Sequence, residues 1–137
     1  MFEVTADTNI YISGLIFAGP PRQFLREAEA GRFRLAISDA LLEELRRILR
    51  AKFAWSEENV AETVTQLLGC VVRVEPIARL DVIQDDPDDN RVLECAVAAG
   101  SRFIVTGDGD LLRLGSYAGI RILKVADFLE LIQGPPL

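Results

Sequence analysis

The sequence predicts an α/β fold in which helices cover both faces of a parallel sheet. Two observations carry this. Short apolar or β-branched runs recur along the chain, separated by stretches whose apolar residues return at helical spacing. Glycine, proline and serine fall at the joints, where helices are capped or broken. Strands that alternate with helices pair in parallel, and a parallel sheet is buried on both faces.

Residues 2–6 (Phe-Glu-Val-Thr-Ala) read as the first strand, more polar than usual for a central one because Glu3 and Thr5 interrupt it. Residues 8–16 follow as a helix or helical turn. Gly19-Pro20-Pro21 breaks the chain, and about ten helical residues run on to Gly31. Residues 33–37 are strand-like. Ser38 is a good N-cap for a helix over 41–53, and Ser56 for another that stops near Gly69. Residues 71–74 make a short β-branched strand. Residues 89–99 are helical and end at Gly100; 103–106 form a strand, 110–114 a helical turn, 120–123 a strand and 125–132 a last helix. The 137 residues are expected to form one domain, 1–137, with 133–137 as a short tail containing Gly134-Pro135-Pro136.

Composition narrows the chemistry. Hydrophobic residues make up 50% of the chain, which favours a packed core over disorder. No apolar run approaches the ~18 residues that span a bilayer, and the N-terminus does not read as a signal peptide, so a cytoplasmic protein without a membrane segment is expected. Cys70 and Cys95 form no C-x-x-C pair and are expected to be small core residues. The sequence contains no histidine. That removes Ser-His and Cys-His nucleophilic pairs, the H-E-x-x-H zinc site and RNA cleavage by paired histidines. Carboxylates are the tools that remain.

The formal net charge is −6, which argues against a plain nucleic-acid binder. Much of the excess is local: positions 81–89 hold five aspartates, a run that reads first as a solvated loop. Its last member, Asp89, is different. Val92, Leu93 and Ala96 follow it at helical spacing, so Asp89 lies on the core stripe of its own helix, while Asp88 and Arg91 lie off it. A buried carboxylate must be paired, capped or bound to a cation. Asp89 also fits a plain helix cap.

Asp7 directly follows the first strand, and Asp108 follows the strand 103–106 by one glycine. Both belong at the carboxyl edge of the sheet, where ligands bind in such folds, although either could simply cap a helix. On the helix 41–53, Leu41, Leu42, Leu45, Ile48 and Leu49 make one face; Glu43 lies nearly opposite, and Glu44 on the border. Four acids thus approach one edge. Gathered carboxylates repel unless a cation neutralises them, and oxygen-only ligands select a hard ion, Mg²⁺ or Mn²⁺. Such an ion activates water and stabilises a phosphodiester under attack. Arg22, Arg26, Arg46, Arg47, Arg50 and Lys52 are candidates to hold the rest of an RNA strand.

Asp7-Thr8-Asn9 after the first strand, Ser38-x-x-Leu41-Leu42-x-Glu44-Leu45, Asp85-Asp86-Pro87-Asp88-Asp89-Asn90 and Ile104-Val105-Thr106-Gly107-Asp108-x-Asp110-Leu111-Leu112 together resemble the PIN-domain proteins, most of all the branch described as toxins of toxin–antitoxin systems. The resemblance spans nearly the whole chain. It implies a three-layer, Rossmann-like α/β/α sandwich and an endoribonuclease dependent on Mg²⁺ or Mn²⁺. It matches Asp7, Glu44, Asp89 and Asp108 to the catalytic, metal-binding acids, Asn9 and Thr106 to supporting polar positions, and Asp110 to an additional acid. It further implies an RNA substrate, a cognate antitoxin protein and a homodimer. Two other readings stay open: a catalytically weak RNA- or protein-binding module of the same fold, and a phosphatase or phosphate-accepting receiver. A haloacid-dehalogenase phosphatase would want an aspartate where Asn9 stands, and a receiver would want a lysine after a late strand, where Gly107-Asp108 follows.

Overall fold

The central strand, β1 (Glu3–Ala6), is flanked by β2 (Arg34–Ser38) on one side and β4 (Phe103–Val105) on the other, in the computed structural model, which describes residues 1–134. Beyond β2 lies β3 (Val71–Val74); beyond β4 lie β6 (Ile120–Leu123) and β5 (Ser116–Tyr117). The order is β3-β2-β1-β4-β6-β5. All pairings are parallel except the last. Strand order therefore reverses between β1 and β4, which opens a crevice at their carboxyl ends.

The helices are α1 (Thr8–Ile16), α2 (Pro20–Glu29), α3 (Asp39–Ala51), α4 (Glu57–Leu68), α5 (Asp89–Ala99), α6 (Gly109–Leu114) and α7 (Val125–Gln133). They flank the sheet in a three-layer α/β/α arrangement, with α5 packed across β1, β2, β3 and β4. The inward face of α3 is the one its spacing predicts: Leu41, Leu42, Leu45 and Leu49 are fully buried. Each such leucine contributes roughly 1.5–3 kcal/mol through burial. In β1, the polar Thr5 is accommodated by a 2.8 Å hydrogen bond with Ser101, and Glu3 pairs with Arg34 at the surface.

At the amino edge of the sheet, Phe2, Phe24, Phe33, Phe103 and Phe128 pack ring against ring, with Phe33 and Phe128 edge to face at 5.0 Å. This cluster braces α2 and α7 against the strands, at the end away from the crevice.

The structure corrects four expectations. The sheet is not wholly parallel: β5 adds an antiparallel edge through a two-residue turn, Ala118-Gly119, both at positive φ (51° and 82°). A strand of two residues carries no periodicity to read, and the turn carries alanine where the common signal has asparagine or aspartate. Helix α3 begins at Asp39 rather than Leu41, because Ser38 accepts the Leu41 N–H and so caps the helix directly. Cys95 is buried as expected, but Cys70 is exposed, just past the end of α4. Helix α7 reaches Gln133; of the expected tail, residues 135–137 lie outside the described residues.

Candidate active site

Asp7 leaves β1 at its carboxyl end, its N–H bonded to the Val105 carbonyl of β4 at 3.2 Å. One carboxylate oxygen accepts the Ile10 N–H at 3.0 Å, which makes Asp7 the N-cap of α1; the other accepts the Thr106 hydroxyl. Asp108 caps α6 in the same way, accepting the Leu111 N–H at 3.0 Å, and its own N–H donates to Thr106 Oγ1 at 3.0 Å. Capping and site geometry are thus not alternatives. Both aspartates cap a helix, and both line one cavity of about 80 Å³ at the crevice.

Glu44 and Asp89 complete it. Glu44 is half-buried and faces the cavity, while Glu43 and Arg47 are exposed, as the helix-face argument requires. Asp89 is 8% exposed and opens α5 as its first residue. It is not the cap: Asp88 holds that position, without a side-chain bond to the helix. Asp89 Oδ2 is buried and has no hydrogen-bond partner among the described residues. The four predicted acids therefore meet at one place.

Of the supporting residues, Asn9 lines the cavity, and Thr106 ties Asp7 to Asp108. Asp110 does not join them: it pairs with Arg113 on α6. Three of the six basic candidates serve elsewhere. Arg46 pairs with Glu43, Arg50 with Glu57, and Arg22 bonds the Gly14 carbonyl. Arg47 stands beside the site, on an adjoining cleft of about 340 Å³ that it shares with Glu44, Asp88, Arg79 and Arg91.

Sequence reasoning missed Asp86. It read the acidic run as solvated except for Asp89. In the structure Asp86, Asp89 and Asp108 each offer a carboxylate oxygen, all within 4.8 Å of one another. Nothing local in the sequence separates Asp86 from its neighbours, because its place depends on how the loop folds back on α5.

The electrostatics are those of crowded acids. Burial pushes the Asp89 carboxyl up to about 8, helped by the neighbouring Asp108 carboxyl and by the charges of Asp86 and Asp7. Burial also raises Asp7, against the pull of Thr106 and Ile10. Glu44 is raised by burial and then by Asp88, with the Thr8 hydroxyl and Arg47 opposing. A divalent cation would reverse this balance. The donors fit one: all are oxygen, the buried Asp89 Oδ2 lacks a partner, and oxygens of Asp86, Asp89 and Asp108 lie within 4.8 Å of one another.

Two solved structures share this fold. A chain of DNA-bound VapBC from Salmonella typhimurium matches with a TM-score of 0.62 at 18% identity, covering 91% of this chain and 99% of that one. PAE2754 from Pyrobaculum aerophilum matches with a TM-score of 0.58 at 16% identity, covering 96% and 97%. Among curated proteins no sequence matches significantly. The family model described as PIN domain matches residues 3–110, a stretch that takes in all four predicted acids, and the chain belongs to the PIN domain family.

Proposed function

We propose that this protein is a Mg²⁺- or Mn²⁺-dependent endoribonuclease, acting as the toxin of a toxin–antitoxin pair. One observation carries the nuclease reading: four acids from separate elements converge at the strand-order reversal, around a buried carboxylate oxygen without a partner. The ion would supply the positive charge that the phosphate needs and lower the pKa of water. Asp7, Asp89 and Asp108 would hold it. Glu44, with its raised proton affinity, completes a second ion position or orients the attacking water and takes its proton. Water oxygen bonds to phosphorus as one ribose P–O bond breaks, and the leaving oxygen receives a proton. Arg47 and Arg79, which form no ion pair among the described residues, steady a neighbouring phosphate.

The preference for RNA, the antitoxin and the toxin role rest on the family resemblance and on likeness to the VapBC chain. We also read residues 1–137 as one nuclease domain, working in the cytoplasm as a homodimer; no helix among the described residues is long and apolar enough to cross a membrane. Light scattering tests the dimer, which a monomer mass at all concentrations would refute. The function is tested by incubating the protein with single-stranded RNA in Mg²⁺, in Mn²⁺ and in EDTA. Cleavage in the first two and none in EDTA, abolished by Asp7→Asn, is expected. Cleavage that persists in EDTA would overturn the reading.

A further inference from the structure

We propose that Asp86 is a ligand of the divalent cation, and that Asn90 is the residue that positions it. This rests on the metal-site reading above and extends it to a loop which that reading left out. Residues 75–88 join β3 to α5 with no regular structure, yet α5 grips them tightly. Asn90, 1% exposed, uses its whole amide: Oδ1 accepts the N–H groups of Val82 and Ile83, each at 2.8 Å, and Nδ2 donates to the carbonyls of Ile83 at 2.8 Å and Pro87 at 3.1 Å. One turn on, Glu94 accepts the Leu80 N–H at 2.7 Å and pairs with Arg91, which donates to the Leu80 carbonyl at 3.1 Å. Ile83 is buried between these anchors. The Asp86 carbonyl then accepts the Asp89 N–H at 3.0 Å, which folds the loop end onto the helix start.

The Asp86 side chain is exposed, but this fold-back holds it at the cavity, which it lines with Asp88, and one of its oxygens accepts the Asp88 N–H at 3.3 Å. Asp81 is engaged with Gln84, and Asp85 is exposed outside the cavity. Asp86 alone of the loop stands within 4.8 Å of Asp89 and Asp108. The observation that points to a ligand is independent of this clustering: Asp89, 8% exposed, lines the same cavity and has a buried Oδ2 without a hydrogen-bond partner among the described residues. Three carboxylates that repel one another, one of which also holds a buried oxygen without a donor, form a place for a cation.

The test is metal affinity, read without catalysis from the Mn²⁺ dependence of the melting temperature and by calorimetry. Asp86→Asn should weaken Mn²⁺ binding about tenfold or more, and Asp85→Asn should leave it unchanged. Asn90→Ala should lower the metal-free melting temperature and also weaken Mn²⁺ binding about tenfold, the usual effect of losing a ligand's support. The double variant should bind Mn²⁺ no more weakly than Asp86→Asn alone, because Asn90 acts through Asp86. A purely structural Asn90 would change the melting temperature and not the affinity. Should Asn90→Ala fail to fold, Asn90→Ser, too short to span the loop, replaces it, and Asp86→Asn still decides the ligand. Asp86→Asn with wild-type affinity would overturn the proposal while leaving the metal site in place. A wild-type protein that binds no Mn²⁺ would overturn both.

Discussion

Thr106 donates its hydroxyl to Asp7, 99 positions away in the chain, and through the same oxygen accepts the N–H of Asp108. One buried hydroxyl just past β4 thereby fixes the acid at the end of β1 relative to the acid that caps α6. Thr106→Val keeps the shape but leaves the Asp7 oxygen without its donor. It should cost about 1–3 kcal/mol in a thermal melt, the usual price of an unsatisfied buried group, and reduce RNA cleavage at least tenfold. Thr106→Ser should restore most of both. A Thr106→Val protein as active as wild type would show that Asp7 needs no such tie.

Glu43 and Glu44 are neighbours with different surroundings, one exposed and paired with Arg46 at 3.4 Å, the other facing the cavity. Glu43→Gln should leave cleavage unchanged within about twofold and shift stability by less than ~0.5 kcal/mol. Glu44→Gln should lower cleavage by two orders of magnitude or more, a general-base-sized loss, without loss of fold. Equal effects of the two in the same assay would refute their assignment to opposite faces.

Stability in EDTA should fall as pH rises. The folded protein holds the Asp89 proton up to about 8, whereas the unfolded chain releases it near 3.8. Between those values the folded state binds more protons, so stability is greatest below the lower one and declines towards the upper, by at most ~1.4 kcal/mol per pH unit for one proton. Asp89→Asn, neutral throughout, should remove most of that slope; what remains traces to Asp7 and Glu44. Mg²⁺ should restore wild-type stability at the alkaline end by binding the native state. Denaturant melts from pH 4 to 9 would measure this, and a wild-type profile that rises across the window would contradict it.

Tyr11 on α1 is fully buried, and its hydroxyl has no hydrogen-bond partner among the described residues. Removing an unsatisfied group should help: Tyr11→Phe should gain about 1 kcal/mol and leave cleavage unchanged. A drop in either, by melt or by assay, would mean that the phenol has a bound water or ion as partner.

The sequence made the sheet edge legible because its signals there are local. Asp7 and Asp108 sit at strand ends, and Glu44 follows from the leucine spacing of one helix. Asp89 stood out because it breaks an apolar stripe. Asp86 and Asn90 did not, since their roles exist only once residues 75–88 fold back on α5, and an acidic run around a proline looks the same whether it is solvated or clamped. The strand pair β5–β6 escaped for a related reason: two residues have no period. Cys70 misled because cysteine is so often buried, whereas here it follows Gly69 on the exposed rim of an apolar groove.

The double duty of Asp7 and Asp108 bears on how such a gene survives. Asparagine caps a helix about as well as aspartate, and the two amino acids differ by a single nucleotide in their codons. On the proposed function, a one-base change at either position would silence the chemistry while sparing the caps, with the phenylalanine brace at the other end of the sheet untouched. Such a lesion would produce a folded but inert protein that quality control has no reason to destroy. Inactive copies should therefore accumulate readily wherever selection for the activity lapses.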